Sequence, residues 1–135
     1  MTLQLSIGAR NAELDALITH MGASPILKIR SGAVPANCAA ADAGTVLAAI
    51  TCPSTPFNAA SSGQITKNGT WQDTSADATG TAAHWRLYKN DGTTVVAQGT
   101  VTLTGGGGDM TVDSVSFTAG QSFTITAFTI TQGNA

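Results

Sequence analysis

The spacing of apolar positions changes its period once along the chain, near residue 25. From Ser6 to Met21 the side chains of Ile7, Leu14, Leu17, Ile18 and Met21 recur at intervals that share one helical face. Ser6 is placed to cap the start of this helix and Gly22 to end it, so the pattern predicts an amphipathic helix over about residues 6–21. Glu13 and Asp15 fall on its solvent side, and His20 in the last turn suits the negative end of the helix dipole.

After Pro25 the period becomes two. Ile26 to Arg30 reads as a strand, Ser31 to Asp42 as a loop marked by Gly32, Pro35 and Asn37, and Thr45 to Thr51 as a second strand. Pro53 and Pro56 interrupt regular structure, Asn58 to Gly63 is a small-residue loop, and Ile65 to Asp73 is a strand kinked at Gly69. Ala83 to Lys89 and Thr94 to Leu103 alternate around Asn90-Asp91-Gly92, which predicts a hairpin. Its core face would carry Trp85, Leu87, Val95, Val101 and Leu103, and its solvent face His84, Arg86, Tyr88, Gln98, Thr100 and Thr102. Gly105 to Gly108 reads as a linker or long hairpin loop, Asp109 to Asp113 as a short strand and Thr118 to Gln121 as a turn.

The closing near-repeat Phe123-Thr124-Ile125-Thr126 and Phe128-Thr129-Ile130-Thr131 is put out of phase by Ala127. Either a bulge there restores the face or the strand leaves one sheet for another. One helix followed by roughly seven or eight short strands, rich in threonine, predicts a mainly β chain. The expected fold is an antiparallel β-sandwich of jelly-roll type with one short N-terminal helix, a single domain over residues 1–135 with strands from about 26 to 132.

Composition alters that picture through charge. Only 10% of the 135 residues are charged and the net charge is −2, against about 25% charged in an average soluble protein. The basic residues Arg10, Lys28, Arg30, Lys67, Arg86 and Lys89 are scattered, which argues against a nucleic-acid partner. No apolar run reaches the ~20 residues of a membrane span, and no export signal is recognisable, so neither membrane nor secretion is expected. A surface this poor in charge suits a protein covered by copies of itself or by a partner. Cys38 and Cys52 enclose a loop that a disulfide could close, although two buried reduced thiols are the simpler reading.

Catalytic chemistry finds no foothold. The two histidines, His20 and His84, stand apart, and the cysteines lack paired metal-ligand spacing, so no metal and no cofactor is expected. There is no nucleophile elbow. Asp73 and Asp77 lie in a Ser/Thr/Gly-rich segment where aspartate caps turns, which displaces a glycosidase reading. The Gly105–Gly108 run lacks the lysine and hydroxyl of a phosphate loop. Trp85 alternates in phase with Leu87 and reads as core, whereas Trp71, at a loop edge, could serve as an anchor. A non-enzymatic protein is expected.

Several long stretches carry a resemblance. Ala9-Arg10-Asn11-Ala12-Glu13-Leu14-Asp15-Ala16-Leu17, Leu27-Lys28-Ile29-Arg30-Ser31-Gly32-Ala33-Val34-Pro35-Ala36-Asn37-Cys38, Gly69-Thr70-Trp71-Gln72-Asp73-Thr74-Ser75-Ala76-Asp77 and the closing Phe128 to Ala135 resemble a family of small structural proteins of tailed bacteriophages and prophages. Some of these are similar to capsid cement, or decoration, proteins, others to tail components. The resemblance implies a virion protein on the capsid exterior, made in the host cytoplasm, whose partners are the major capsid protein and itself as homodimer or homotrimer. It transfers no catalytic residue. Leu3, Leu5 and Ile7, the loops from Pro53 to Gly63, and Trp71 are the expected contact residues, because most have no obvious place in the strand pattern. The competing expectation is a receptor- or glycan-binding tail module that uses Trp71, Tyr88 and His84.

Overall fold

The computed structural model describes residues 3–134. It is mainly β, with 36% strand and 11% helix. The helix α1 spans Ile7–Met21; Ser6 Oγ accepts from Ala9 N at 3.1 Å at its start, and Gly22 N donates to Ile18 O at its end. The strands are β1 (Ile26–Arg30), β2 (Val46–Thr51), β3 (Gln64–Thr66), β4 (Trp71–Asp73), β5 (Gly80–Thr81), β6 (His84–Tyr88), β7 (Val95–Leu103), β8 (Met110–Val112), β9 (Ser116–Phe117), β10 (Phe123–Ile125) and β11 (Thr129–Thr131). Five form one sheet in the order β2-β1-β6-β7-β8, and the rest pair as the ribbons β10-β4, β11-β3 and β5-β9.

The helix, β1 and the β6–β7 hairpin lie where the apolar pattern puts them. Other elements differ. The expected strand from Ile65 to Asp73 is two, β3 and β4, bonded to different partners on either side of Gly69. At Ala127 the chain takes the second of its two options: β10 pairs with β4 and β11 with β3, so the phase slip is a change of partner.

The expectation of an all-antiparallel sheet fails at β7 and β8, which run parallel. The Gly105–Gly108 run is therefore neither linker nor hairpin; it doubles the chain back beside Thr102. Gly105 and Gly107 take positive φ, +88° and +80°, and a Cβ on Gly106 or Gly108 would come within 2.8 Å of the Thr102 side chain. Thr102 Oγ1 accepts from Gly108 N at 3.0 Å, and Asp109 Oδ2 accepts from Thr100 N at 2.9 Å where the parallel ladder begins.

One face of the five-stranded sheet, with Leu27, Ile29, Ile50 and Leu87 wholly buried, closes over the apolar core. An aromatic cluster lies within that core: Phe57 meets Trp71 edge to face at 5.2 Å between centroids, and Phe128 meets Trp85 at 5.1 Å. The helix is clamped to the body by polar contacts. Asn11 Oδ1 accepts from Gly63 N at 2.8 Å, Asp15 Oδ1 from Ala60 N at 3.0 Å, and Arg10 donates to Gln132 O at 3.2 Å. A Cβ on Gly63 would stand 2.3 Å from the Arg10 guanidinium, so glycine there makes room for the buried cation.

Candidate functional site

Along β6 the second face of the sheet is not the solvent face expected from the alternation, whereas on β7 Thr100 is exposed and Gln98 and Thr102 are half-buried. His84, Arg86 and Tyr88 of β6 are all buried, because the segment between β1 and β2 lies across them as a strap. Arg86, 1% exposed, is the fastening: its guanidinium donates to Asn37 O and Ala40 O, both at 3.0 Å, to Gln98 Oε1 at 3.0 Å and to Asp42 Oδ1 at 2.8 Å. Arg30 donates to Asp42 Oδ2 at 2.9 Å, Tyr88 OH donates to Asp42 Oδ1 at 2.7 Å, and Gln98 Nε2 donates to Pro35 O at 2.7 Å. His84 Nδ1 lies 2.8 Å from Gly32 O. Burial works against ionisation of Asp42, but the hydrogen bonds from Tyr88 and Arg86 and the charge of Arg30 outweigh it and hold the carboxyl below the usual range. Burial and the Asp42 hydrogen bond push the Tyr88 phenol up.

The sequence carried a signal for this cluster that alternation alone does not read. Lys28 stands directly opposite Arg86, and Arg30 opposite His84, on neighbouring strands. Lys28 facing Arg86 sets like charges across the ladder, an arrangement that calls for an anion nearby, and Asp42 in the adjoining loop pairs with both arginines. Lys28 instead lies over the Tyr88 ring, 4.6 Å from its centroid, and donates to Gly92 O at 3.1 Å.

The expected contact residues separate into two groups. Trp71 is wholly buried, its indole N–H donating to Asn68 O at 3.1 Å, so its ring belongs to the core and offers no outer surface. The loop from Pro53 to Gly63 also has a place inside, through Phe57. Leu3 and Ile7 are 70% and 56% exposed, and Leu5 is half-buried where its N–H donates to Asn134 O. Among large apolar side chains of the described residues only Leu103, 49% exposed, joins Leu3 and Ile7. Cys38 is exposed on the strap and Cys52 is buried, both as free thiols; burial pushes the Cys52 thiol up to about 12.

A trough that the sequence gave no sign of runs between β11 and the edge formed by β7 and β8. It consists of two adjoining cavities of ≈ 210 and ≈ 270 Å³ that share Asp109, Phe128 and Thr129. Phe128 and Trp85 line it together with Leu17 of α1.

Among the described residues, no cluster of three His, Cys, Asp or Glu side chains is placed to hold a metal, and no helix is long and apolar enough to cross a membrane. No protein-family model, curated protein or solved structure matches the chain.

Proposed function

We propose that this protein is a non-enzymatic structural component of a tailed-phage virion, a cement or decoration protein that binds the outer shell and bridges neighbouring major capsid subunits. The observation that carries the reading is the apolar N-terminal segment, whose Leu3 and Ile7 are left in solvent ahead of and at the start of a helix otherwise fastened to the body. Exposed large apolar side chains on a weakly charged surface favour burial against another protein. The resemblance of the long stretches quoted above supports the same role. A self-associated dimer or trimer touching several shell subunits at once would hold by avidity, each contact raising the effective concentration of the next. The jelly-roll assignment belongs to this proposal, supported by a curled sheet and short ribbons packed around a shared core.

The tail-module alternative draws no comparable support. A glycan has no access to Trp71, Tyr88 or His84, each of which is wholly buried.

The test is the copy number of the protein in purified particles, measured by mass spectrometry against the major shell subunit. A ratio comparable to that subunit is expected. A few copies per particle would move the protein to the tail, and absence from the particle would overturn both assignments.

A further inference from the structure

The trough is bounded on both sides by backbone groups that have no partner among the described residues, as the hydrogen-bond register shows. Lys67 N donates to Phe128 O and Gln132 N to Gly63 O, each at 2.9 Å, so the even-numbered residues of β11 face β3. Alternation along an antiparallel strand then turns the N–H and C=O groups of Thr129 and Thr131 away from β3, toward the trough that both residues line. On the opposite wall Val101 N donates to Ala83 O at 2.9 Å, which commits the odd-numbered residues of this part of β7 to β6 and turns Gln98 to the other edge, beyond the end of β8. In the parallel ladder Thr104 N donates to Val112 O at 3.2 Å, so Met110 and Val112 face β7 while Thr111 directs its backbone outward. Gln98, Thr111, Thr129 and Thr131 all line the trough, and no hydrogen bond among the described residues takes up these groups.

Two unpaired strand edges bordering one trough make a seat for an added strand. The two cavities share Asp109, Phe128 and Thr129 and are bordered by these outward backbone groups, which suits an extended chain. The apolar part of the lining includes Phe128, Trp85, Leu17, Met110 and Ile130, which favours a segment with apolar side chains at alternate positions. Asp109 is the charged residue of the lining. Its Oδ2 accepts from Thr100 N and Oγ1, and no cation among the described residues pairs with it. We infer that the trough is a β-augmentation site for an extended segment of a partner protein, with alternate apolar side chains against Phe128 and Trp85 and a lysine or arginine beside Asp109. The inference is independent of the shell assignment, since it names the chemistry of the segment and not the protein that bears it.

The experiment uses the full chain and the acetylated, amidated hexapeptide TVKVTV as probe, with TVEVTV as its charge-reversed control. Amide hydrogen exchange is followed residue by residue. Millimolar TVKVTV is expected to slow exchange at Gln98, Thr111, Thr129 and Thr131 about tenfold, leaving the already paired amides of Val112 and Ile130 unchanged, and TVEVTV to slow it far less. Thr131→Pro removes an outward N–H and none of the β3 ladder, so the protection should vanish with the unfolding midpoint unchanged. Should that variant fail to fold, Asp109→Asn, which keeps an oxygen for Thr100 N, is expected to abolish the preference for TVKVTV over TVEVTV. Absence of slowing, equal slowing by the two peptides, or retention of the preference in Asp109→Asn would each overturn the proposal. So would protection of the same amides that grows with protein concentration alone, which would make a second copy, through its uncharged Leu3–Leu5 segment, the occupant.

Discussion

The two faces of the five-stranded sheet are covered by opposite chemistry, the apolar one along most of its strands and the other chiefly along β6 and over Arg30. One is covered by leucines, isoleucines and an aromatic cluster, and the other by a strap held through Arg86, Arg30, Asp42, Tyr88 and Gln98. On the apolar face stability scales with area removed from water and with how well the rings fit, and a smaller residue leaves a void. The strap face depends on completeness, because the Arg86 and Arg30 guanidinium groups it buries are tolerable only while their acceptors are present. Area makes the first face robust to chemistry but sensitive to volume, and the second robust to volume but sensitive to the loss of a single proton or charge.

The largest expected effect tests the first half of that contrast. Trp71→Ala removes a wholly buried indole that packs on Phe57 and Phe128, and should lower unfolding free energy by about 4 kcal/mol in urea titration. Arg86→Met tests the second, since it keeps most of the volume and strips donors from Asn37 O, Ala40 O and Asp42. A loss of about 3 kcal/mol is expected, and a loss below about 1 kcal/mol would mean that the strap is held by packing instead of by its hydrogen bonds.

Acid provides a sharper comparison. The Asp42 carboxyl is held below its ordinary value in the folded chain, so its contribution is complete above the unfolded value and is lost as pH falls through the folded one. Urea midpoints measured down through that acid range should fall more steeply for the parent chain than for Asp42→Asn. At neutral pH that variant should cost about 1 kcal/mol, since Asp42 is partly exposed. The smallest effect lies outside both faces: Ile7→Ser, at an exposed position, should change stability by less than about 0.5 kcal/mol. If the segment is the shell contact, the same variant should still lower occupancy on purified particles, a dissociation of folding from binding that no substitution within the strap could produce.

What could be read in advance was whatever local pattern determines. Caps at Ser6 and Gly22 bracket the helix, and alternation around Asn90-Asp91-Gly92 gives the hairpin, whose Asp91 carboxylate accepts from Thr93 N and Thr94 N and is lowered to about 2 by the bonds it receives from Thr94 and Thr93. Alternation says which residues share a face but not what lies over it. Arg86 and Tyr88 therefore read as solvated, although the strap that covers them begins directly after β1. The parallel return at Gly105–Gly108 was illegible for a different reason. Glycine permits positive φ and close approach without specifying which way the chain then runs, and direction was fixed by Thr102 and Asp109 catching the backbone on its way back. The trough was invisible because it is made by the absence of a neighbour, and unpaired backbone leaves no trace in side-chain identity. Leu3 and Ile7, which had no role in the pattern, also have none in the interior.

The docking of α1 sets an order of events during synthesis. Arg10 and its bond acceptor Gln132 are 122 positions apart, and Glu13 reaches the same glutamine. At roughly 5–20 residues per second a ribosome needs on the order of 6–25 s to travel from one to the other. Throughout that interval α1 has no C-terminal counterpart, and a lone 15-residue helix is only marginally stable in water. The helix is thus made well before the last of its contacts, and the exposed leucine and isoleucine at its head are available to a neighbouring nascent chain before they are available to a finished one.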